Sequence, residues 1–545
     1  MTHSELSQLQ VENLDHLGIV AGLIDRIGLV GRINEKLGTS PDEHINSGQV
    51  LKAMILNGLG FVSAPMYLFS RFFEGKPTEH LLGEGVLPEH LNDDKLLRVL
   101  EKLYDYGLTT LFVEIAIQAA EREGLRMDRL HLDATSFSVE GSYSSQQKGD
   151  EPGDEEPQPI HITHGYSRDH RPDLKQFLVQ MMVSSDGGVP TFFRVSDGNE
   201  SEAKVFAELI RDYQRQISLD SLFVADAALY SQENLKRLGS LSYVCRVPLA
   251  IERARELLTQ THSAEEFVQS RREGYRLCEV AARYAGIEQR WIVIESERRA
   301  ERELAGLDKR IGKEHSKAQR DLNALGRRAF NCEADARKAA DELAGSLRYH
   351  RLEGLAIEAE PYHTRPGRPR KDQSPEYCYR VQGALVRDEE RVRCHTQRAG
   401  RFILATNVLE AEALEAEALE SYLAQQTVER GFKFLKDPMF FTDSVFLKTP
   451  KRVAAVAMVM GLCLLVYALG ERELRLKLAA KEMSIPDQRG KPTQTPTLRW
   501  VFQLFQALHL LRTGSGSRLI HGLTAEKEHV LGFFGVECRR YYLLA

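Results

Sequence analysis

The run Val453 to Gly470, VAAVAMVMGLCLLVYALG, holds 18 residues without a charge. That length just reaches what a bilayer-spanning helix needs. The other way to hide it is a helix buried on all sides. Ala and Gly dilute the run, no second span accompanies it, and charged sequence lies close on both sides. A core helix is therefore expected and no membrane partner. A chain of 545 residues can build such a core: at ~150 residues per domain it predicts three or four domains.

Composition excludes several classes. With 42% hydrophobic and 28% charged residues the chain is neither disordered nor a small stapled scaffold. Seven scattered cysteines without a CxxC pair predict a reducing cytoplasm, and MTHSELSQLQ at the N-terminus lacks the features of a secretory signal. The formal net charge of −6 argues against coating nucleic acid by bulk charge, but local basic patches set phosphate binding more directly.

Periodicity divides the chain. Residues 1–125 read as an all-α module: Leu17, Val20, Ile24 and Ile27 recur at helical spacing, Asn46 or Ser47 can cap a second helix, and Asn92 begins a third. Residues 126–250 change character. Arg129 to Phe137 alternates as a strand, and Asp186-Gly187-Gly188 sits inside a hairpin signal from Gln176 to Val195. A helix from Ala203 to Ile217, a strand ending at Asp226, a helix near 231–238 and a strand at Tyr243–Val247 follow. That order predicts an α/β domain with a mixed sheet. Residues 251–400 read as an inserted region, with 13 basic and 10 acidic residues between 296 and 348 suggesting an exposed helical hairpin flanked by strands. Residues 401–470 return to a strand, Phe402–Thr406, and a long helix from about Glu410 to Lys436. Residues 471–545 read as helices, with Trp500, Phe502, Leu504, Phe505 and Leu508 expected in a core.

Three carboxylates carry the chemistry. Asp133 and Asp226, 93 positions apart, each end or nearly end a short apolar strand, where a rigid element fixes an accessible side chain. In SYLAQQTVERGFKFLKDP, residues Tyr422, Gln425, Glu429 and Lys436 stand at offsets 0, 3, 7 and 14, which puts them along one helix face. Arg430, Lys433 and Lys436 surround Glu429 with no second acid before Asp437.

These residues resemble the DDE transposases of bacterial insertion sequences, in the branch marked by a Tyr-x2-Arg-x3-Glu-x6-Lys signature. Tyr422, Glu429 and Lys436 match that spacing, while Gln425 stands at the Arg position. The likeness extends to HLDATSF around Asp133, HGYSRDHRPDLKQF from His164, Asp197-Gly198-Asn199, VADAALYS around Asp226 and LATN at 404–407. It implies a ribonuclease-H-like catalytic domain, split by an insertion that the 203 positions from Asp226 to Glu429 can hold. It also implies that Asp133, Asp226 and Glu429 bind metal and catalyse.

Phosphodiester cleavage and strand transfer must activate a hydroxyl and stabilise a departing oxygen, which two Mg²⁺ ions can do, with Mn²⁺ able to substitute. Mg²⁺ needs only a few carboxylates plus substrate phosphate. His131, His161, His164 and His170 lack the Cys partners of a zinc site and read as solvated or hydrogen-bonded loop residues. Double-stranded DNA, as transposon end and as target, is the expected partner of a homodimer. Tyr422, Gln425, Arg430, Lys433 and Lys436, followed by Lys448, Lys451 and Arg452, are placed to grip phosphates. A second basic stretch, RPGRPRK with Arg365, Arg368 and Arg370, resembles a minor-groove hook. Competing readings are a metal-dependent nuclease without strand transfer, and a non-catalytic regulator of transposition.

Overall fold

A computed structural model describes residues 9–61, 64–141, 143, 159–166, 171–200, 207, 209–211, 213, 220–259, 267–362, 376–409, 414–437, 447, 449–514 and 516–544. The acidic stretch 150–156, His170, Lys448 and Arg365, Arg368 and Arg370 lie outside these residues. Of the expected helix 203–217 only Ala207, Leu209, Ile210, Arg211 and Tyr213 are described. The protein is mixed α/β and divides into two compact units, Met1–Cys245 with Glu420–Ala545, and Arg246–Leu419.

In the first unit the uncharged run forms the middle of a helix spanning Pro450–Ala480. It is a core helix, with Val453, Met458, Leu462, Leu465 and Val466 all buried. Helices Ser47–Gly58, Asp93–Tyr106 and Leu108–Glu123 surround it. Each fully buried Leu or Val there stabilises the fold by ~1.5–3 kcal/mol. The surrounding helices start where the sequence predicts. Asn46 accepts from the Gln49 N–H at 2.9 Å, completed as a capping box by Gln49, and Asn92 accepts from the Lys95 N–H at 3.0 Å.

Two expectations need correction. The first 125 residues include a strand, β1 (Gln10–Asn13), and the region after 471 is not purely helical. β1 pairs antiparallel with His509–Arg512, which pairs with Arg518–His521. Glu12 and Arg512, 2.9 Å apart, tie the two ends of the chain together. Single-sequence periodicity missed these strands because they are four residues each. The expected core aromatics Phe502 and Phe505 are fully buried.

The sheet of the first unit contains β2 (Arg129–Val139), β3 (Lys175–Ser184), β4 (Pro190–Ser196), β5 (Leu222–Ala225) and β6 (Tyr243–Arg246), in the order β4-β3-β2-β5-β6. β2 is antiparallel to β3 and parallel to β5, and β5 is parallel to β6, so the sheet is mixed as expected. Helix Leu108–Glu123 and the 450–480 helix both pack on β4.

The second unit holds β7 (Val268–Gln269), β8 (Tyr275–Tyr284), β9 (Ile287–Ser296), β10 (His350–Tyr362), β11 (Glu376–Arg387) and β12 (Arg401–Thr406). β12-β9-β8-β7 are antiparallel neighbours, and β10 and β11 form a separate ribbon. The charged stretch is a helical hairpin, Glu297–Arg327 and Glu333–Ser346.

Candidate active site

Parallel pairing of β2 and β5 sets His131 opposite Val224. Two residues further along each chain stand Asp133 and Asp226, at the same level and of the same parity as that pair. Parity of two puts their side chains on one face. Both carboxylates are half-buried and held by backbone: Asp133 Oδ1 accepts from the Ala134 N–H and Asp226 Oδ1 from the Ala228 N–H, each at 2.8 Å.

Glu429 comes from another direction. The expected single helix 410–436 is two helices, Leu414–Leu423 and Gln426–Leu435. Between them the chain tightens: the Gln425 N–H donates to Tyr422 O at 3.1 Å, and the Val428 N–H to Gln425 O at 3.0 Å. These i to i+3 bonds wind the joint like a 3₁₀ turn, so Tyr422 and Gln425 do not continue one regular face with Glu429.

The second helix lies on β2 and β3. Met181 is the cross-strand partner of Asp133 and shares its face. A Cβ on Gly431 would stand 3.0 Å from Met181 Cε and 3.1 Å from Leu464 Cδ2, so glycine fits this close approach where a larger residue would need those side chains to give by a few tenths of an ångström. Further on, Lys436 Nζ sits 5.4 Å from the ring centroid of Phe137, four residues past Asp133 on the same face. Glu429 thus leaves the first turn of a helix seated over the Asp133 side of the sheet. It is exposed, and among the described residues it makes no hydrogen bond or ion pair. The positive end of the helix dipole favours an acid there.

Comparison with known proteins separates two stretches. Residues 9–117 match a domain of unknown function, DUF4277, and residues 125–467 match the transposase DDE domain, more than half of the 545. The chain belongs to the DDE transposase domain family. Among solved structures it is similar to a piggyBac transposase synaptic complex with hairpin DNA, at 10% identity and a TM-score of 0.37, with 92% of this chain and 83% of that chain covered. The search of curated proteins gave no match.

DDE transposases are DNA-cleaving transposition enzymes that use divalent metal ions. The donors offered by this transposase domain suit such an ion in kind, since all three are hard carboxylate oxygens. Among the described residues no three His, Cys, Asp or Glu side chains form a set that could hold a metal. Asp133 and Asp226 stand level on neighbouring segments, while Glu429 shares their side of the sheet without closing the set.

Of the cations expected to grip DNA, Arg430 and Lys433 are exposed on the Glu429 helix, Arg430 donating to Thr427 Oγ1 at 3.2 Å. Arg452 pairs its partly exposed guanidinium with Glu101 at 2.7 Å, linking the 450–480 helix to helix Asp93–Tyr106. Lys451 Nζ lies over the Tyr104 ring at 5.3 Å.

Two motifs turn out to be structural. Gln176 Nε2 donates to Gly198 O at 2.7 Å and Tyr166 O at 3.2 Å, and Asp197 Oδ1 accepts from the His161 N–H at 2.8 Å. A Cβ on Gly198 would lie 1.9 Å from Gln176 O, so the Asp-Gly-Asn turn requires glycine to clamp the 160s segment against β3. His131 also departs from expectation. It is a fully buried strand residue, not a loop histidine, and neither ring nitrogen has a hydrogen-bond partner among the described residues. Burial, reinforced by Arg129, lowers its pKa to about 4, so the ring stays neutral.

Proposed function

We propose that this chain is the transposase of a bacterial insertion sequence. In this reading it has a ribonuclease-H-like catalytic domain, recognises terminal inverted repeats, and cleaves and transfers DNA strands with Mg²⁺. The observation that carries the reading is the level placement of Asp133 and Asp226, with the Glu429 helix seated over the same side of β2 and β3.

Asp133, central in the sheet, with Asp226 and Glu429 would be the residues that hold the Mg²⁺ ions. When bound, the ions supply activation of the attacking hydroxyl and stabilisation of the leaving oxygen. The protein's own part is to hold the carboxylates on rigid elements: a backbone N–H fixes each aspartate, and Gly431 seats the helix. Glu429, exposed and without a partner among the described residues, would be the third carboxylate available to the ions. Arg430, Lys433 and Lys436, with Tyr422 and Gln425 upstream, position the DNA backbone, and Arg365, Arg368 and Arg370 add a second grip. Phosphate contacts of this kind position without reading sequence. The helices of 1–125 would read the element's end, and a homodimer would pair two ends.

The test is strand transfer by the full-length chain. A labelled duplex carrying the inverted repeat that flanks the coding region is mixed with Mg²⁺ and a supercoiled target. Joined end–target products are expected. Cleavage without joining would make the chain a nuclease, and binding without cleavage a regulator.

A further inference from the structure

We propose that the Arg246–Leu419 unit carries its own contact for a DNA backbone phosphate, in the cleft beside helix Glu389–Gln397; this rests on the transposase reading above.

The cleft measures about 360 Å³, is open to solvent, and is lined by Arg348, Arg391, His395 and Arg398 together with Asp388 and Glu390. Helical spacing creates the basic side, because Arg391, His395 and Arg398 stand at i, i+4 and i+7 along one face. Local structure then removes most of the negative charge. Asp388 caps the helix, accepting from the Arg391 N–H at 3.1 Å and pairing with its guanidinium at 3.2 Å, while Arg391 also donates to Leu347 O at 2.9 Å. Glu314, from helix Glu297–Arg327, turns to the backbone, accepting from the Tyr349 N–H at 2.8 Å, and stands 3.0 Å from His350 Nδ1. Glu390 is the one lining carboxylate without an ion pair among the described residues.

Arg348 and Arg398 remain. Arg398 is fixed at the helix end, its Nε donating to Cys394 O at 3.2 Å and a terminal nitrogen 3.4 Å from His395 Nδ1. Tyr349 meets the His395 ring edge-on at 5.1 Å and holds it in place. The electrostatic imbalance is visible at that ring. Burial first, then Arg398, Arg310 and Arg348, push the His395 pKa down, with Glu314 acting against them. A solvent-open cleft where guanidinium charge outweighs carboxylate favours an anion, and the planar fork of arginine matches phosphate oxygens. Because the cleft is open, a phosphodiester can enter while its strand continues on both sides.

Fluorescence anisotropy of the full chain with a labelled 40-bp duplex (about four helical turns), across a salt series, tests this. Replacing both guanidiniums, R348A/R398A, should raise Kd by on the order of tenfold and make the slope of log K against log salt shallower by about 1–2. Arg348→Glu, an exposed change that leaves the helix end intact, should weaken binding in the same direction, and R348K/R398K should keep most of the slope. Unchanged Kd and slope in R348A/R398A and in Arg348→Glu, with the wild type binding, would overturn the cleft and leave the transposase reading standing. A wild-type chain that binds no duplex would overturn the transposase reading itself.

Discussion

Asp133 and Asp226 stand at the same level on adjacent parallel segments, each two residues beyond the paired His131 and Val224. Parallel neighbours with matched parity bring two carboxylates to one side of a sheet. Asn keeps the shape and the hydrogen bond from Ala134 or Ala228 but removes the charge. Asp133→Asn or Asp226→Asn should therefore fold normally and bind end DNA, while Mg²⁺-dependent nicking falls. Even outer-shell partners of a metal cost about 10–100-fold, so a ligand change should exceed ~100-fold. Nicking assays beside gel-shift binding check this, and full nicking by either variant rejects the assignment.

On the Glu429 helix, binding and cleavage should separate. Arg430 and Lys433 are exposed and have no ion pair among the described residues. Replacing both by Ala should make the salt dependence of DNA binding shallower by about 2, independent of sequence. Glu429→Gln should leave that slope unchanged and abolish nicking. A steeper or equal slope in the double variant places the grip elsewhere.

Much of this was readable in the sequence, and the failures have physical causes. Asp226 follows directly on the apolar strand 222–225, as its pattern predicts, whereas Asp133 lies inside β2, which runs on to Val139; the 453–470 run could only be core or membrane. The helix carrying Glu429 was read as one piece because Ala424-Gln425-Gln426 contains no Gly or Pro. Its break is a tightened turn whose hydrogen bonds leave no residue signature. The seat of that helix depends on Met181 and Leu464 meeting Gly431, contacts between segments 250 and 33 positions apart that periodicity does not encode. Charge is visible in sequence, but the ion pair of Arg452 with Glu101, 351 positions away, is not.

Arg472 joins the hairpin turn to the helical layer. Its guanidinium donates to Asp186 Oδ2 at 2.7 Å, to Glu123 O at 3.1 Å and to Gly124 O at 3.2 Å. Both side chains are about one-tenth exposed. Arg472→Ala leaves the buried aspartate with the Arg126 N–H at 3.1 Å and a longer contact to the Arg126 guanidinium at 3.7 Å, which should destabilise the unit by ~1–3 kcal/mol. Burial pushes the Asp186 carboxyl up, but Arg472 and the Arg126 N–H more than offset it, so its pKa lies below the usual value. A depressed folded pKa gives stability that is present above the unfolded value near ~3.9 and lost as pH falls through the folded one. Asp186→Asn should therefore be less stable than wild type at neutral pH and converge with it in acid. Urea melts at pH 7 and pH 3 would show whether the gap closes; a constant gap rejects the ion pair as its source.

His16 should impose a second, milder acid sensitivity. It is buried, with Nε2 donating to Leu59 O at 2.8 Å and Nδ1 3.2 Å from Gln506 Nε2, which makes the neutral ring the fitted form. Its ring stacks on Phe502 at 4.3 Å. Burial lowers its pKa from 6.5 to about 4, the Leu59 carbonyl opposing and Lys76 assisting. Below 6.5 the unfolded chain takes up a proton that the folded chain refuses until about 4, so stability is full above the upper value and declines between the two. The loss should reach about 2 kcal/mol by pH 5. His16→Gln can replace both hydrogen bonds without titrating. It should cost stability at pH 7.5 and lose less than wild type on moving to pH 5, read from urea midpoints at the two values. Equal losses in the two proteins would mean that His16 is charged in the fold or that another group sets the acid limit.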